Sequence, residues 1–261
     1  MITKVVVPWH NPEQLDRFLL EWNLSRDDSR LILQQDKTRE GCSFTKNKGI
    51  IAAMKEGAEI IVMLDDDCFP NENQTFGDFV CSHENALEPQ DVEMFTVVTE
   101  PPSRGTPYFD RTIVMPVAAS MGFWTDIGDY DAPSQLVHGA SHPMKFRRDI
   151  IYGRYFPLCG MNLSFRVTEW PWCQFIHVER FDDIWQGFLW QRKAYSDGKC
   201  FNLAGPLVRH SRQSNVWNNL VVEAPNLKRN ETIWKDIHRM YVCDYEEMKN
   251  ILKLSFPRIR P

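Results

Sequence analysis

The first third of the chain carries short apolar runs separated by amphipathic stretches. Lys4-Val5-Val6-Val7-Pro8 is a β-branched run closed by a proline, and Asn11-Pro12 then opens a segment with Leu15, Phe18, Leu19 and Trp22 at helical spacing. A second run, Leu31-Ile32-Leu33, ends at Asp36, and Lys46 to Lys55 follows with Ile50, Ile51 and Met54 on one helical face. Ile60-Ile61-Val62-Met63-Leu64 is apolar at every position, the pattern of a strand covered on both faces. Strand-then-helix units in this order predict an α/β fold with a parallel, Rossmann-like sheet, because parallel neighbours need helical crossovers. Ligands of such sheets bind beyond the carboxyl ends of the strands. The residues there are Pro8-Trp9-His10-Asn11, Asp36 and Asp65-Asp66-Asp67.

Further along, prolines at 101, 102, 107, 116 and 133 punctuate apolar segments at Met94-Phe95-Thr96-Val97-Val98 and Thr112-Ile113-Val114-Met115, which predict further strands joined by long loops. Trp170, Trp172, Trp185 and Trp190 make Glu169 to Lys193 the aromatic centre of the second half. From Glu231 to Leu254, Ile233, Ile237, Met240, Tyr241, Met248, Ile251 and Leu252 recur at helical spacing, so the chain is expected to end in helices.

Composition narrows the class without naming a partner. With 43% hydrophobic residues in 261, the chain can bury a substantial core. A formal net charge of -5 argues against a generally basic nucleic-acid coat but leaves a local basic face open. Seven scattered cysteines without a C-x-x-C pair favour a reducing compartment over a zinc or disulfide framework. No secretory leader is evident and no run approaches the ~20 apolar residues of a membrane span, so a soluble cytoplasmic protein is the expectation.

The strongest chemical signal is Asp65-Asp66-Asp67 directly after an apolar strand. Adjacent carboxylates at a buried strand end repel one another unless a cation or donors compensate them. Hard oxygen ligands of this kind suit Mg2+ or Mn2+, whose shell is usually completed by substrate phosphates. An acidic solvated turn is the plain alternative. Asp36 is placed to accept from a base or ribose, or to cap a turn. The basic segment Lys46-Asn47-Lys48-Gly49 is read as a helix start that favours phosphate. Asp182-Asp183, set between Phe181 and Ile184-Trp185, reads equally as a general base with raised pKa or as a helix cap. His210, after Pro206-Leu207-Val208, is a candidate metal ligand or phosphate contact.

Taken in order, Leu64-Asp65-Asp66-Asp67-Cys68-Phe69, Asp129-Tyr130-Asp131-Ala132-Pro133 with Gln135-Leu136-Val137, Cys159-Gly160-Met161-Asn162-Leu163, Arg180-Phe181-Asp182-Asp183-Ile184-Trp185 with Gly187, and His210-Ser211 resemble the motifs of GT-A glycosyltransferases. More narrowly they resemble the reversibly glycosylated polypeptides, or UDP-arabinopyranose mutases, over roughly residues 3 to 220. The resemblance implies a single GT-A domain over 1–261 with a mainly parallel central sheet and C-terminal helices, residues 1–90 forming a nucleotide-binding half and 91–261 a sugar and acceptor half.

It also implies a UDP-sugar site. Asp36 would hold the uridine, and Pro8, His10, Lys46 and Trp185 would also belong to the nucleotide-sugar site. Asp65 to Asp67 would be the DxD element for ribose and metal, with Asp65, Asp67 and His210 as ligands of Mn2+ or Mg2+. Asp129, Asp131, Gly160, Met161 and Asn162 would line the sugar pocket. Asp182 or Asp183 would activate the acceptor, and Arg104, in Arg104-Gly105-Thr106-Pro107-Tyr108, is similar to the arginine that becomes glycosylated in the mutases.

The chain lacks roughly a hundred residues that plant members carry, and its basic ending Phe256-Pro257-Arg258-Ile259-Arg260-Pro261 differs from theirs. Similar enzymes of tailed phages place arabinose on hydroxymethylated cytosine of their own DNA. The leading expectation is therefore a metal-dependent transferase passing a sugar from UDP-arabinose to a hydroxyl, with 5-hydroxymethylcytosine in duplex DNA as one acceptor. Lys145, Arg147, Arg148, Arg209, Arg212, Lys228, Arg229, Arg258 and Arg260 would then form a basic face. The competing readings are a mutase that interconverts pyranose and furanose rings, and a non-catalytic nucleotide-sugar binder.

Overall fold

The computed structural model describes residues 1–37, 41–97, 99–107, 109–139, 145–211, 215–240, 245 and 248. The chain runs β1 (Thr3–Trp9), α1 (Pro12–Glu21), β2 (Leu31–Gln35), α2 (Cys42–Lys55), β3 (Ile60–Leu64), β4 (Cys68–Pro70), α3 (Phe76–Ala86), β5 (Gln90–Glu93), β6 (Thr112–Met115), β7 (Val117–Met121), β8 (Trp124–Asp126), α4 (Ala132–His138), β9 (Ile150–Ile151), β10 (Asn162–Arg166), α5 (Asp182–Ser196), β11 (Cys200–Asn202), β12 (Val208–His210) and α6 (Val216–Arg239). Among the described residues no helix is long and apolar enough to cross a membrane.

The central sheet has the order β2-β1-β3-β10-β7-β11-β9. β1 lies parallel to β2 and β3, whereas β10 is antiparallel to both β3 and β7. β7 therefore points the same way as β3, and β11 pairs parallel with it while β9 opposes β11. Only β10 and β9 run against the rest, so the sheet is mainly parallel, as the early strand-helix alternation predicts. β3 is buried at all five positions, the consequence of its uninterrupted apolar run. Asn11 caps α1 by accepting from the Glu13 N–H at 3.0 Å, with Pro12 opening the helix. α2 sits close on the sheet because Gly49 has no side chain: a Cβ there would lie 2.3 Å from Cγ1 of Val6.

Three expectations shift. The helix expected to start at Lys46 begins at Cys42 after Gly41, so Lys46–Gly49 lies within α2 and offers no free helix N-terminus to a phosphate. The strand expected at Met94–Val98 forms earlier, as β5, with only Val92 buried; its hairpin register with β6, Val92 opposite Ile113, selects the alternating segment over the apolar one. Met94 and Phe95 are left exposed, and Val98 lies outside the described residues. The last helix begins at Val216, well before Glu231, and runs through Pro225. Its start is fixed by Asn215, which accepts from the N–H groups of Trp217 and Asn218, so local capping outweighs the cost of an interior proline. Tyr241, Ile251 and Leu252 of the expected ending lie outside the described residues. α5 and α6 meet over a second apolar cluster of Ile176, Phe181, Trp185, Phe188, Leu189, Ile233 and Ile237.

A polar hub ties α3 to the sheet. His83 is fully buried, with Nε2 2.8 Å from Asn162 Oδ1 and Nδ1 3.0 Å from Ser164 Oγ. The amide oxygen can only accept, so Nε2 carries a proton. Burial pushes its pKa down to about 4. The unfolded chain thus binds the extra proton between about pH 6.5 and 4, and folding stability falls as pH falls through that window. His83→Gln removes this dependence. The parent-minus-variant difference in unfolding free energy, measured by urea titration, is expected to shrink by about 2 kcal/mol between pH 7 and pH 5.

Candidate active site

A cavity of about 510 Å3 opens beyond the carboxyl end of β3. The antiparallel register of β10 on β3 sets Asn162 opposite Leu64, so the preceding Gly160-Met161 segment lies against Asp65, whose N–H donates to the Met161 carbonyl at 3.1 Å. The Asp65 carbonyl accepts from the Cys68 N–H at 3.0 Å, turning the chain into β4. β4 pairs with β12, placing His210 opposite Cys68 and beside Asp67. Three segments remote in sequence thereby meet at the strand end where such sheets bind ligands.

Asp65 and Asp67 line the cavity, whereas Asp66 is buried outside its lining. His210 Nδ1 is 2.9 Å from the Ile127 carbonyl and must donate to it, so the neutral ring presents the Nε2 lone pair toward Asp67, whose Oδ2 is 3.8 Å away. Burial alone would lower the His210 pKa, but the neighbouring Asp67 carboxylate raises it above its ordinary value. A ring nitrogen oriented by a hydrogen bond at its other nitrogen is the usual preparation of a metal-binding histidine. Among the described residues no group of three His, Cys, Asp or Glu side chains is close enough to hold a metal by itself. The donor chemistry of Asp65, Asp67 and His210 fits a cation that keeps several ligands from elsewhere.

Lys46 enters from α2. Its Nζ is 3.1 Å from Asp65 Oδ1 and 3.2 Å from the Gly160 carbonyl, with the side chain only 5% exposed. Burial disfavours its charge, yet Asp65 first, and Asp182 and Asp183 as well, hold the ammonium well above the usual lysine range. Gly160 permits this contact. A Cβ there would stand 2.5 Å from the Phe175 ring and 3.3 Å from Lys46 Nζ.

The opposite wall is the start of α5. Asp183 Oδ2 accepts from the Gly160 N–H at 2.9 Å and Oδ1 from the Ile184 N–H at 2.9 Å, so this carboxylate is pinned between the loop and the helix. Asp182, beside it in the cavity lining, has its pKa raised by burial and then by the Asp183 charge. The cap reading is not met, because the helix already begins at Asp182 and Phe181 occupies its cap without a side-chain bond. Asp183 instead pins the Gly160 loop, and burial lifts the proton affinity of both carboxyls above the ordinary carboxylate range.

The remaining wall comes from Ile127–Asp131, Arg180 and α6. Asp131 caps α4 by accepting from the Ser134 N–H at 2.7 Å, and Asp129 Oδ2 is 3.6 Å from Cys159 Sγ. Among the described lining residues Asp65, Asp67, Asp129, Asp131, Glu179, Asp182, Asp183 and Glu223 face only two strong cations, Lys46 and Arg180, so the cavity is strongly acidic.

Of the residues singled out from sequence, the cavity gathers Lys46, Asp65, Asp67, Asp129, Asp131, Met161, Asp182, Asp183 and His210. Pro8, His10 and Asp36 stand together at the ends of adjoining β1 and β2, where the Asp36 N–H donates to the Trp9 carbonyl at 2.8 Å, but outside this lining. Asn162 and Trp185 lie behind it. The Asn162 amide donates to the carbonyls of Phe123 and Pro206, and the Trp185 indole donates to Asn230. Gly160 contributes backbone. Arg104 is exposed in a turn and is not among the cavity's lining residues, and Tyr108 lies outside the described residues. Arg209, Arg229 and Arg147 of the expected basic face pair with Glu21, Asp236 and Asp149, and Arg212, Arg258 and Arg260 lie outside the described residues. Sequence reasoning assigned no role to Arg180, Glu223, His177 or Ser43. Arg180 sits two residues before Asp182, a signal that could have been followed; Glu223 is legible only once α6 is seen to reach the site.

Comparison with known proteins adds the lineage. The family model described as "Reversibly glycosylated polypeptide" matches residues 25–245. A Pisum sativum protein named "Probable UDP-arabinopyranose mutase 1" is 32% identical over 230 residues, 77% of this chain and 62% of its own length. An Arabidopsis thaliana protein named "Probable UDP-arabinopyranose mutase 4" is 28% identical over 268 residues, 91% of this chain and 72% of its own length. The chain thus spans less than two thirds of the pea protein. Among solved structures, one described as "crystal structure of a glycosyltransferase involved in the glycosylation of the major capsid of PBCV-1" aligns with 85% of this chain and 99% of its own, at 10% identity and a TM-score of 0.32, too weak a likeness to argue from.

Removing the buried cation tests the charge balance. Lys46→Met leaves Asp65, Asp182 and Asp183 without their counter-charge, and the pKa values of Asp182 and Asp183 rise further. Unfolding free energy is expected to drop by about 2 kcal/mol at pH 8, below the cost for a fully buried pair because Asp65 is 26% exposed. The loss is expected to shrink at pH 5, where those carboxyls take up protons; denaturant titrations at the two pH values measure both.

Proposed function

We propose, from the premise that this chain belongs to the reversibly glycosylated polypeptide family, that it binds a UDP-sugar in the acidic cavity and transfers the glycosyl group to a hydroxyl acceptor. UDP-arabinose is the favoured donor, in keeping with the names of the relatives. The observation that carries the reading is the pairing, across one cavity, of the Asp65, Asp67 and His210 donor set with the raised acid Asp182.

An anionic diphosphate entering this cavity would meet far more carboxylates than cations, which is unfavourable unless a cation enters with it. Asp65, Asp67 and His210 are the residues that would hold Mn2+ or Mg2+, and the ion would neutralise charge on the diphosphate. On the acceptor side, the Asp182 carboxylate accepts the proton of the attacking hydroxyl. The hydroxyl oxygen bonds to the anomeric carbon as the bond from that carbon to the β-phosphate oxygen breaks, and UDP leaves with the electron pair. Asp183 keeps the Gly160 loop and the α5 terminus in register while this happens.

A second reading, ring interconversion of UDP-arabinose without a macromolecular acceptor, is favoured by the same relatives' names. Incubation with UDP-arabinose, alone and with hydroxymethylcytosine DNA, separates the two. A mass increase on the DNA supports transfer to a base hydroxyl; pyranose-furanose exchange without DNA, lost in Arg104→Ala, supports the mutase. Absence of UDP uptake in calorimetry, with or without manganese, defeats both.

Because the base must be ionised, turnover is expected to rise with pH through an inflection above the ordinary carboxylate range near 4. Asp182→Asn is expected to lower kcat by ~10²- to 10³-fold and to abolish that limb, with UDP affinity little changed. A variant that retains parental kcat and pH profile removes Asp182 from the role.

A further inference from the structure

Lys46 is the only strong cation on the β3 side of the cavity among the described lining residues, and Asp65 and the Gly160 carbonyl already occupy it. Arg180 is differently arranged. Glu223, on α6 and 3% exposed in its side chain, accepts from Arg180 Nε at 3.0 Å through Oε1 and from the Ala132 N–H at 2.7 Å through Oε2. One buried carboxylate thus joins the N-terminus of α4, the segment before α5 and the side of α6. It grips the guanidinium from behind. Only Nε is engaged, and neither terminal Nη nitrogen meets a hydrogen-bond acceptor among the described residues. Arg180 lines the cavity, with the charges of Asp129 and Asp183 acting on it. Its backbone φ is +64°, a left-handed conformation unusual for a side chain of this size, so the surrounding structure holds it where it would not go unaided.

We infer that Arg180, positioned by Glu223, is the cation that contacts the diphosphate of the bound nucleotide sugar. A planar guanidinium held by Nε presents both Nη groups as a fork matched to two phosphate oxygens, which an ammonium already spent on a carboxylate cannot do. The inference rests on the UDP-sugar reading and adds a positioning pair to it: Glu223 sets the direction of the fork, and Arg180 makes the contact. Because the contact is to phosphate, its loss discriminates by phosphate content and leaves the nucleoside untouched.

Calorimetry with uridine, UMP and UDP in the presence of manganese tests it, using the full chain. If the parent binds none of the three, the UDP-sugar reading itself fails. Given parental UDP binding, Arg180→Ala is expected to weaken UDP at least 10-fold while uridine changes by less than about 2-fold. Arg180→Ala strands a buried Glu223 charge, so the Arg180→Ala/Glu223→Gln double variant keeps the experiment readable should the single variant fail to fold. Glu223→Gln alone is expected to weaken UDP in the same direction by a smaller factor, and to have no further effect on the Arg180→Ala background. An unchanged UDP-to-uridine affinity ratio in Arg180→Ala or in the double variant overturns the inference, as does equal weakening of all three ligands.

Discussion

The site depends on keeping many carboxylates together in a space partly removed from water. Opposite unit charges about 4 Å apart attract by about 4 kcal/mol at an effective dielectric near 20, and like charges repel by as much. Lys46 supplies the attraction at the centre, 3.1 Å from Asp65 and within electrostatic reach of Asp182 and Asp183. Arg180 supplies it at the rim against Glu223. Two cations do not neutralise eight carboxylates, and the pKa of Asp182 goes up first because burial disfavours its charge and then because the Asp183 carboxylate repels it, with Lys46 working the other way. The raised acid thus reflects both its burial and its neighbours, so a substitution at Asp183 or Lys46 alters its proton affinity.

Where each group stands follows from topology. The antiparallel insertion of β10 between β3 and β7 brings the Gly160-Met161 segment to Asp65. The small sheet β4-β12-β8 brings His210 to Asp67 and to the Ile127 carbonyl. α5 delivers Asp182 and Asp183 with its first turn, where exposed backbone N–H groups favour negative charge, and the apolar cluster shared with α6 fixes its axis. Fold and site are coupled most tightly at Asn162, whose amide joins His83, Phe123 and Pro206 two residues from Gly160.

What the sequence discloses and what it conceals divide along physical lines. β1, β2, β3 and their helices are legible because each is a local pattern: a short apolar run, a capped amphipathic stretch, then polar residues at the strand end. β10 and β7 are hidden, since Asn162, Ser164 and Ser120 are fully buried polar residues; the side chains of the first two are met by hydrogen bonds formed only in three dimensions, and only the backbone carbonyl of Ser120 shares in them. The same holds for the site. Adjacent aspartates announce themselves by their mutual repulsion, but the division of labour between Asp182 and Asp183 depends on which of them the Gly160 N–H reaches. Glu223 reads as one more surface charge on an amphipathic helix until Arg180 and the Ala132 N–H are found against its two oxygens.

An acidic cavity is a costly way to receive an anion, and the cost has a use on the proposed reading. A site rich in fixed positive charge would hold a diphosphate with or without a metal and would hold the product as firmly as the donor. On that reading the carboxylates would repel a bare nucleotide, donor affinity would be conditional on an accompanying cation, and the few protein cations would be left to orient the diphosphate. On the same reading, burial and the neighbouring carboxylates together would raise the proton affinity of Asp182 as the base for the acceptor hydroxyl. One excess of negative charge would then both make donor entry depend on a cation and strengthen that base, a use served by its only partial compensation through Lys46 and Arg180.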